Sequence, residues 1–130
     1  MSKIIIIVAA LALILHGLIH LIGPTVYMKL GQVEEIAYKT TLLGGRWEVG
    51  ERGIWMFGAL WIVPAVGFIL AAVAILAGWG WWQPLLIGVT LFSLLLTVLD
   101  WRIAYAGVVV NLVILAVFAL EPRIASWFLG

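Results

Sequence analysis

Two histidines are the residues of this chain best suited to chemistry. His16 and His20 close an apolar run that starts at Ile4. On a helix, residues four apart share a face about one turn from each other. Imidazoles bind ligands and metals and relay protons. Because a titratable group is costly in apolar surroundings, the pair requires a partner or water. The pair cannot hold one haem, because two axial ligands approach the porphyrin from opposite faces.

Further polar residues follow single faces of the later apolar segments. At about 100° per residue, Thr90, Ser93, Thr97 and Asp100 form one stripe. Asn111 is a further polar residue in the last apolar segment. All of these residues have a structural interpretation as well. The hydroxyls bond carbonyls of their own helix, Asn111 joins helices, and Asp100 caps a helix or pairs with Arg102. The expected ligand contacts are His16, His20, Thr97, Asp100, Tyr105 and Asn111.

No metal site is predicted, and the sequence does not identify a cofactor. A zinc ion held by the histidines with Asp100 or Glu51 is geometrically possible. The chain has no cysteine and no H-E-x-x-H motif, however, so nothing in its motifs indicates a metal centre.

The composition is that of an integral membrane protein. Hydrophobic residues make up 66% of the 130 residues and charged residues only 10%, against about 25% in soluble domains. We expect an all-α polytopic fold, a single antiparallel bundle of four transmembrane helices with a long loop between helices 1 and 2. The predicted helices cover residues 4–23, 53–77, 82–99 and 103–120, each near the roughly 20 residues that cross a bilayer.

The long loop holds most of the charged residues. Gly23-Pro24 is predicted to end helix 1, and Pro64 to kink helix 2. Residues 32–43 have the spacing of a short amphipathic helix, with Glu35 and Lys39 as an i,i+4 pair. Four charged residues are expected to cover the site from the loop: Arg46, Glu48, Glu51 and Arg52.

Antiparallel helices place the polar residues at one depth. His16, His20, Thr97, Asp100 and Asn111 then all fall in the half of the bundle nearest the long loop. We expect a polar pocket there and a dry, closely packed opposite half. Basic residues favour a cytoplasmic long loop, whereas Lys3 favours the reverse orientation.

The segment Leu15-His16-Gly17-Leu18-Ile19-His20-Leu21-Ile22-Gly23 resembles helix 1 of small uncharacterised bacterial four-helix membrane proteins. More distantly it resembles the DoxX-like group, in which a His-Gly pair precedes a basic residue. His16-Gly17 matches that pair, and His20 stands where the family has lysine. The resemblance implies a membrane protein linked to redox or quinone-associated complexes.

Three functions agree with these patterns. The first is binding of an amphiphile such as a quinone or isoprenoid in the polar pocket. The second is an accessory or structural subunit of a larger membrane complex, and the third is an intramembrane enzyme with a histidine general base. Expected partners are membrane lipid, an amphiphilic small molecule, and a membrane protein or a second copy of the chain. With a net charge of +1, nucleic acid is not expected. The expected location is a bacterial or archaeal cell membrane.

Overall fold

Four apolar helical segments dominate the structure, a computed structural model that describes residues 3–120. It is 76% helical. The helices are α1 (Lys3–Ile19), α2 (Ile22–Tyr27), α3 (Gly50–Leu60), α4 (Ile62–Ala77), α5 (Trp82–Leu99) and α6 (Trp101–Ala119). They form four segments long and apolar enough to span a membrane: Lys3–Tyr27, Gly50–Ala77, Trp82–Leu99 and Trp101–Ala119. The prediction of four spanning-length helices is therefore confirmed.

The first two segments are each broken a few residues before a proline. Proline has no N–H, so the carbonyl four residues earlier loses its helical donor. Pro24 affects His20 in this way, and α1 gives way to α2 between Ile19 and Ile22. Pro64 affects Leu60, the last residue of α3, and Trp61 separates α3 from α4. The prediction that Gly23-Pro24 ends the first helix is wrong, because the chain continues helically to Tyr27 after the break.

The long loop contains no amphipathic helix over residues 32–43, so that prediction is wrong. Val33 and Ile36 instead form an isolated β-bridge. Farther along, β1 (Thr41–Leu42) pairs with β2 (Trp47–Glu48) around a 3-10 turn at Leu43–Gly45. A helix of three turns is only marginally stable by itself. Packing of Val33 and Ile36 against the helices below therefore decides the conformation.

Two apolar cores lie at different levels of the molecule. The core nearer the long loop, called the loop-side core, consists of Val26, Tyr27, Leu42, Ile54, Phe57, Trp61 and Leu96. The distal core consists of Ala10, Leu13, Phe68, Ala71, Ala72, Ala74, Ile75, Trp82 and Leu86. His20, Thr90, Ser93 and Asn111 fall between these two sets along their helices, whereas Thr97 and Asp100 lie beyond Leu96, at the level of the loop-side core.

Small residues set the distance between α1 and α4, which pack closely. A Cβ atom built on Gly17 would lie 2.8 Å from the backbone oxygen of Ala65 and 3.2 Å from Cβ of Phe68. Since the nearest atom belongs to the backbone, the contact cannot relax by a side-chain rotation. The hydrogen at Gly17 therefore fixes how closely the two helices approach.

A pair of glycine substitutions tests this contact. We expect Gly17→Ala to destabilise the protein by about 1–3 kcal/mol, because overpacking forces the helices apart. Gly88→Ala in α5 is the matched control, because its Cβ would meet nothing within 4 Å. It should be neutral or stabilise by up to about 1 kcal/mol through helix propensity. The measurement is the free energy of unfolding in mixed micelles. Equal effects of the two substitutions would contradict this account.

Candidate functional site

A closed ring of hydrogen bonds joins α1, α5 and α6 between the two cores. His16 Nε2 lies 3.1 Å from Asn111 Oδ1, and Asn111 Nδ2 donates to Ser93 Oγ at 2.9 Å. Ser93 Oγ lies 2.6 Å from His20 Nε2, and His20 Nδ1 returns to the backbone oxygen of His16 at 2.7 Å. Three of the four side chains are almost fully buried: Ser93 and Asn111 are 0% exposed and His20 is 2% exposed.

The chemistry of the groups fixes the direction of each bond. A carbonyl only accepts, so Nδ1 of His20 donates to His16 and Nε2 of a neutral His20 accepts from the Ser93 hydroxyl. The amide oxygen of Asn111 accepts from Nε2 of His16. Every polar atom in the ring thus has one consistent role with both imidazoles neutral. We assign these tautomers from the partners, as the hydrogen-bond network requires.

The ring repairs the break at the end of α1. The backbone N–H of His20 donates to Gly17 rather than to His16, as in a tightened helical turn. The freed carbonyl of His16 is satisfied by the His20 side chain. His20 therefore acts as an internal cap, which is a structural role that its spacing from His16 alone does not reveal.

Hydroxyls on the polar stripe of α5 extend the ring. Thr97 accepts from Asn111 at 3.3 Å and donates to the carbonyl of Leu94. Thr90, one turn before Ser93, bonds only the carbonyl of Leu86 within its own helix. The predicted stripe is thus buried as a whole, but only part of it connects helices.

Asp100 is the centre of a second polar cluster, at the turn between α5 and α6. Its carboxylate is 3% exposed and accepts hydrogen bonds from the Tyr27 hydroxyl and from Lys39 Nζ, the latter at 2.5 Å. Lys39 also donates to the backbone oxygen of Thr41, and its ammonium lies 5.7 Å from the Tyr27 ring. Asp100 therefore pairs with Lys39 from the long loop rather than with Arg102, and Lys39 does not form the expected helical pair with Glu35.

The remaining predicted residues lie outside these clusters. Tyr105 is 67% exposed on α6. Four charged residues predicted to cover the site are exposed on the surface: Arg46, Glu48, Glu51 and Arg52. Glu48 accepts from the backbone of Gly50, and Glu51 pairs with Lys29 at 3.9 Å. The side chain that reaches the buried carboxylate from the loop is Lys39.

Trp61, at the break between α3 and α4, has an unpaired hydrogen-bond donor. Its side chain is buried, and its Nε1–H has no hydrogen-bond partner within residues 3–120. The indole packs on the backbone of Gly23, where a Cβ would come within 2.6 Å of the ring. It is tilted by 44° against the His20 ring, with 5.3 Å between the ring centroids. Sequence reasoning missed this residue because eight tryptophans look alike as interface anchors.

Trp61 and Asp100 line a small, mostly apolar cleft of about 100 Å³, called here the loop-side cleft. Its other walls come from the α1–α2 break, the long loop and the first turn of α6. They are Ile19, Ile22, Gly23, Val26, Tyr27, Ile36, Ile103 and Ala104.

The two clusters differ in what they can do chemically. Both ring nitrogens of His20 are engaged, so this side chain has no free lone pair to act as a base. Among residues 3–120, no group of three histidine, cysteine, aspartate or glutamate side chains is placed to hold a metal ion. The loop-side cleft, by contrast, is lined by Trp61, whose N–H has no partner within residues 3–120, by Asp100 and by mostly apolar side chains.

Comparison of the chain with known protein families, with curated proteins and with solved structures finds no match. The resemblance to the DoxX-like group therefore stays a prediction based on His16-Gly17.

Ser93 and Thr90 lie on the same face of α5, but the Ser93 hydroxyl bonds other helices and the Thr90 hydroxyl bonds its own helix. We expect Ser93→Ala to reduce the free energy of unfolding by about 1–2 kcal/mol, because it removes the partner of His20 Nε2 and one of the two acceptors of Asn111 Nδ2. Thr90→Val should cost less than about 0.5 kcal/mol, because its hydroxyl bonds a carbonyl already held by the helix. Unfolding in mixed micelles measures both. A Ser93→Ala variant as stable as Thr90→Val would contradict the ring.

The Lys39–Asp100 pair should respond asymmetrically to removal of either partner. Lys39→Met leaves a buried carboxylate unpaired and should cost about 3 kcal/mol. Asp100→Asn should cost less, because Lys39 is 25% exposed and can turn toward water. The double variant should be more stable than Lys39→Met alone.

The control for this prediction is the exposed Lys29–Glu51 pair. Its side chains are 63% and 81% exposed, so Lys29→Met should change stability by no more than about 0.5 kcal/mol. If Lys39→Met and Lys29→Met cost the same free energy of unfolding, the Asp100 cluster does not tie the loop to the helices.

Proposed function

We propose that the chain is an integral membrane protein whose loop-side cleft binds an amphiphile with a hydrogen-bond-accepting head group, such as a quinone or an oxygen-bearing isoprenoid. In this proposal the four helical segments cross the bilayer in antiparallel order. The mean hydropathies of their most apolar windows, 2.7, 2.6, 1.9 and 2.1, support insertion. The DoxX-like resemblance supports a quinone in particular, through the link to quinone-associated complexes that it implies.

The observation that carries the proposal is the unpartnered Nε1–H of Trp61. A buried donor without a partner costs about 1–3 kcal/mol. Elsewhere in the polar layer of this protein, donors are paired through the ring of His16, His20, Ser93 and Asn111. A head group with a carbonyl, ether or phosphate oxygen would complete the bonding of Trp61. The apolar walls of the cleft would receive the atoms next to that head.

The walls of the cleft are able to move apart for such a head group. Its volume of about 100 Å³ is less than the roughly 300–1,000 Å³ of typical ligand sites. Each wall, however, contains an interruption of regular helix: the α1–α2 break, the break at Trp61, and Ala104, whose φ and ψ are −100° and 21°. The helical geometry is irregular at these points, and in this proposal the cleft opens there.

The proposed position of the head group, at Trp61, differs from the position that the sequence predicts, at the histidines. The predicted ligand contacts His16, His20, Thr97 and Asn111 use their hydrogen-bonding atoms on each other and on backbone carbonyls. They support the walls of the site. Of the predicted contacts, Asp100 lines the loop-side cleft. As a general base for the enzyme hypothesis, His20 has little support, because it is buried with both nitrogens bonded.

The accessory-subunit hypothesis draws on a single observation. Only 6% of the most apolar window of α6 is buried, against 28–44% in the other three segments. An exposed apolar helix suits a partner helix, but lipid tails cover such a face equally well. The unpaired donor at Trp61 is the more specific feature, and the ligand-binding proposal is therefore preferred.

Substitution of the indole tests the proposal. The protein in phosphatidylcholine nanodiscs is titrated with a benzoquinone that carries an n-alkyl tail, and bound probe is counted by native mass spectrometry. We expect Trp61→Phe to weaken binding about tenfold, the effect of losing one buried hydrogen bond. Trp55→Phe is the matched control, because Trp55 is 49% exposed on the same segment. It should bind like the wild type.

Two results would overturn the proposal. One is a wild-type protein that takes up no more probe than protein-free nanodiscs do. The other is a Trp61→Phe variant that binds the probe as tightly as Trp55→Phe.

A further inference from the structure

A second cleft also lies between the first helical segment and α6, but it is at the level of the distal core. It has a volume of about 200 Å³ and an almost wholly apolar lining. Ala9 and Ala12 of α1 form one wall, and Val113 and Val117 of α6 form the facing wall, with Trp82 and Phe118 at its end. We call it the distal cleft.

The two clefts follow one seam between the first segment and α6. On the first segment the order is Ala9 and Ala12, then His16, then Ile19 and Ile22. On α6 the order in the same direction is Val117 and Val113, then Asn111, then Ala104 and Ile103. The hydrogen bond between His16 and Asn111 crosses the seam between the clefts.

The seam stays open because α6 packs on α5 and barely touches α1. The buried face of α1 is formed by Ala10, Leu13 and Gly17, which point toward α4. Ala9 and Ala12 lie beside that face and leave a shallow channel. His16 is half-buried and Asn111 is 0% exposed, so a ligand in the seam would contact the His16 side of their hydrogen bond.

We infer that the two clefts form one elongated site for a single-chain amphiphile, with its head at Trp61 and its tail along the α1–α6 seam to the distal cleft. This inference rests on the proposed function of the loop-side cleft and adds the class of ligand. The tail passes over the outer side of the His16–Asn111 bridge.

The length of the seam determines how long the alkyl tail of the ligand can be. Ile22 and Ala9 are 13 residues apart, and Ile103 and Val117 are 14 residues apart. At about 1.5 Å per residue, both give a separation of about 20 Å. A distal cleft of about 200 Å³ is below the size of usual ligand pockets, so it holds part of one chain rather than two.

The lining of each cleft agrees with this orientation of the ligand. Trp61 and Asp100 line the loop-side cleft, whereas the residues that line the distal cleft are all aliphatic or aromatic. A polar head in the distal cleft would lose its hydrogen bonds, which is costly in an apolar environment. The head therefore belongs at Trp61, near the long loop.

Photocrosslinking measures where the two ends of such a ligand lie. Two benzoquinone probes carry an alkyl tail that extends about 20 Å, the length of the seam. One has a diazirine next to the ring and the other has it at the tail end. Each is crosslinked to the protein in phosphatidylcholine nanodiscs, and labelled residues are mapped by peptide mass spectrometry. A phosphatidylcholine with a diazirine at the end of one acyl chain gives the background of bulk lipid.

We expect the head-labelled probe to mark Ile22 and Ile103, and the tail-labelled probe to mark Val113 and Val117. The tail-labelled probe should mark these two residues at least severalfold more than the lipid-facing Leu15, which is 61% exposed. Labelling by the phosphatidylcholine control should show no such preference.

A substitution in the distal cleft tests the position of the tail independently of the position of the head. Ala12→Phe fills the channel, and because Ala12 is exposed the change leaves the cores intact. Labelling of Val113 and Val117 by the tail probe should fall severalfold, while head labelling at Ile22 persists. Leu11→Phe, at a 60% exposed position about 100° around α1 from Ala12, should change neither.

The possible failures are distinguishable. If the head probe marks the loop-side cleft but the tail probe labels Leu15 as strongly as Val113, the elongated site is refuted and the proposed function stands. If the head probe also labels no more selectively than phosphatidylcholine, both fail. An Ala12→Phe variant with unchanged tail labelling would likewise refute the path along the seam.

Discussion

The need to pair every polar group buried among apolar side chains governs this structure. His16, His20, Ser93 and Asn111 meet that need entirely within the protein, in a ring that closes on a backbone carbonyl. Since each member supplies the partner of the next, no single side chain can be removed without leaving another unpaired. The ring also joins three helices at one level, between an apolar core on each side. It thereby fixes how far α1 and α6 can approach and so defines the seam between them.

The two prolines act together with this ring. Each removes a helical hydrogen bond four residues upstream, so Pro24 breaks the first segment at His20 and Pro64 breaks the second at Trp61. These breaks face each other, as the 5.3 Å separation of the His20 and Trp61 rings shows. One break is repaired by the His20 side chain, whereas the indole at the other keeps an unpaired donor. Because of this difference, a hydrogen bond from the protein to a ligand is proposed at Trp61 and not at the histidines.

The long loop belongs to the same arrangement. Lys39 reaches the buried carboxylate of Asp100, and Ile36 forms part of the cleft wall. Arg102, at the start of α6, lies against Gly44 in the 3-10 turn, where a Cβ would come within 2.8 Å of the Arg102 side chain. The loop is thus held to both ends of the α5–α6 turn. Whatever enters the loop-side cleft contacts a surface to which the loop contributes.

The sequence by itself determined the four apolar helices and the burial of one polar stripe, because hydrophobic periodicity and length are local properties. It also indicated Asp100, His20 and Asn111 as buried polar groups in need of partners. Only the tertiary structure decided which partners they have. The spacing of Glu35 and Lys39 indicated a helix, yet the packing of Val33 and Ile36 and the pairing of Lys39 with Asp100, 61 residues away, together prevailed over that weak local preference. Trp61 differs from seven other tryptophans only in its position between two helix breaks, and no local pattern encodes an unpaired donor. The histidines are as central as their spacing suggests, but the fold joins them to Asn111, Ser93 and a backbone carbonyl in one hydrogen-bonded ring.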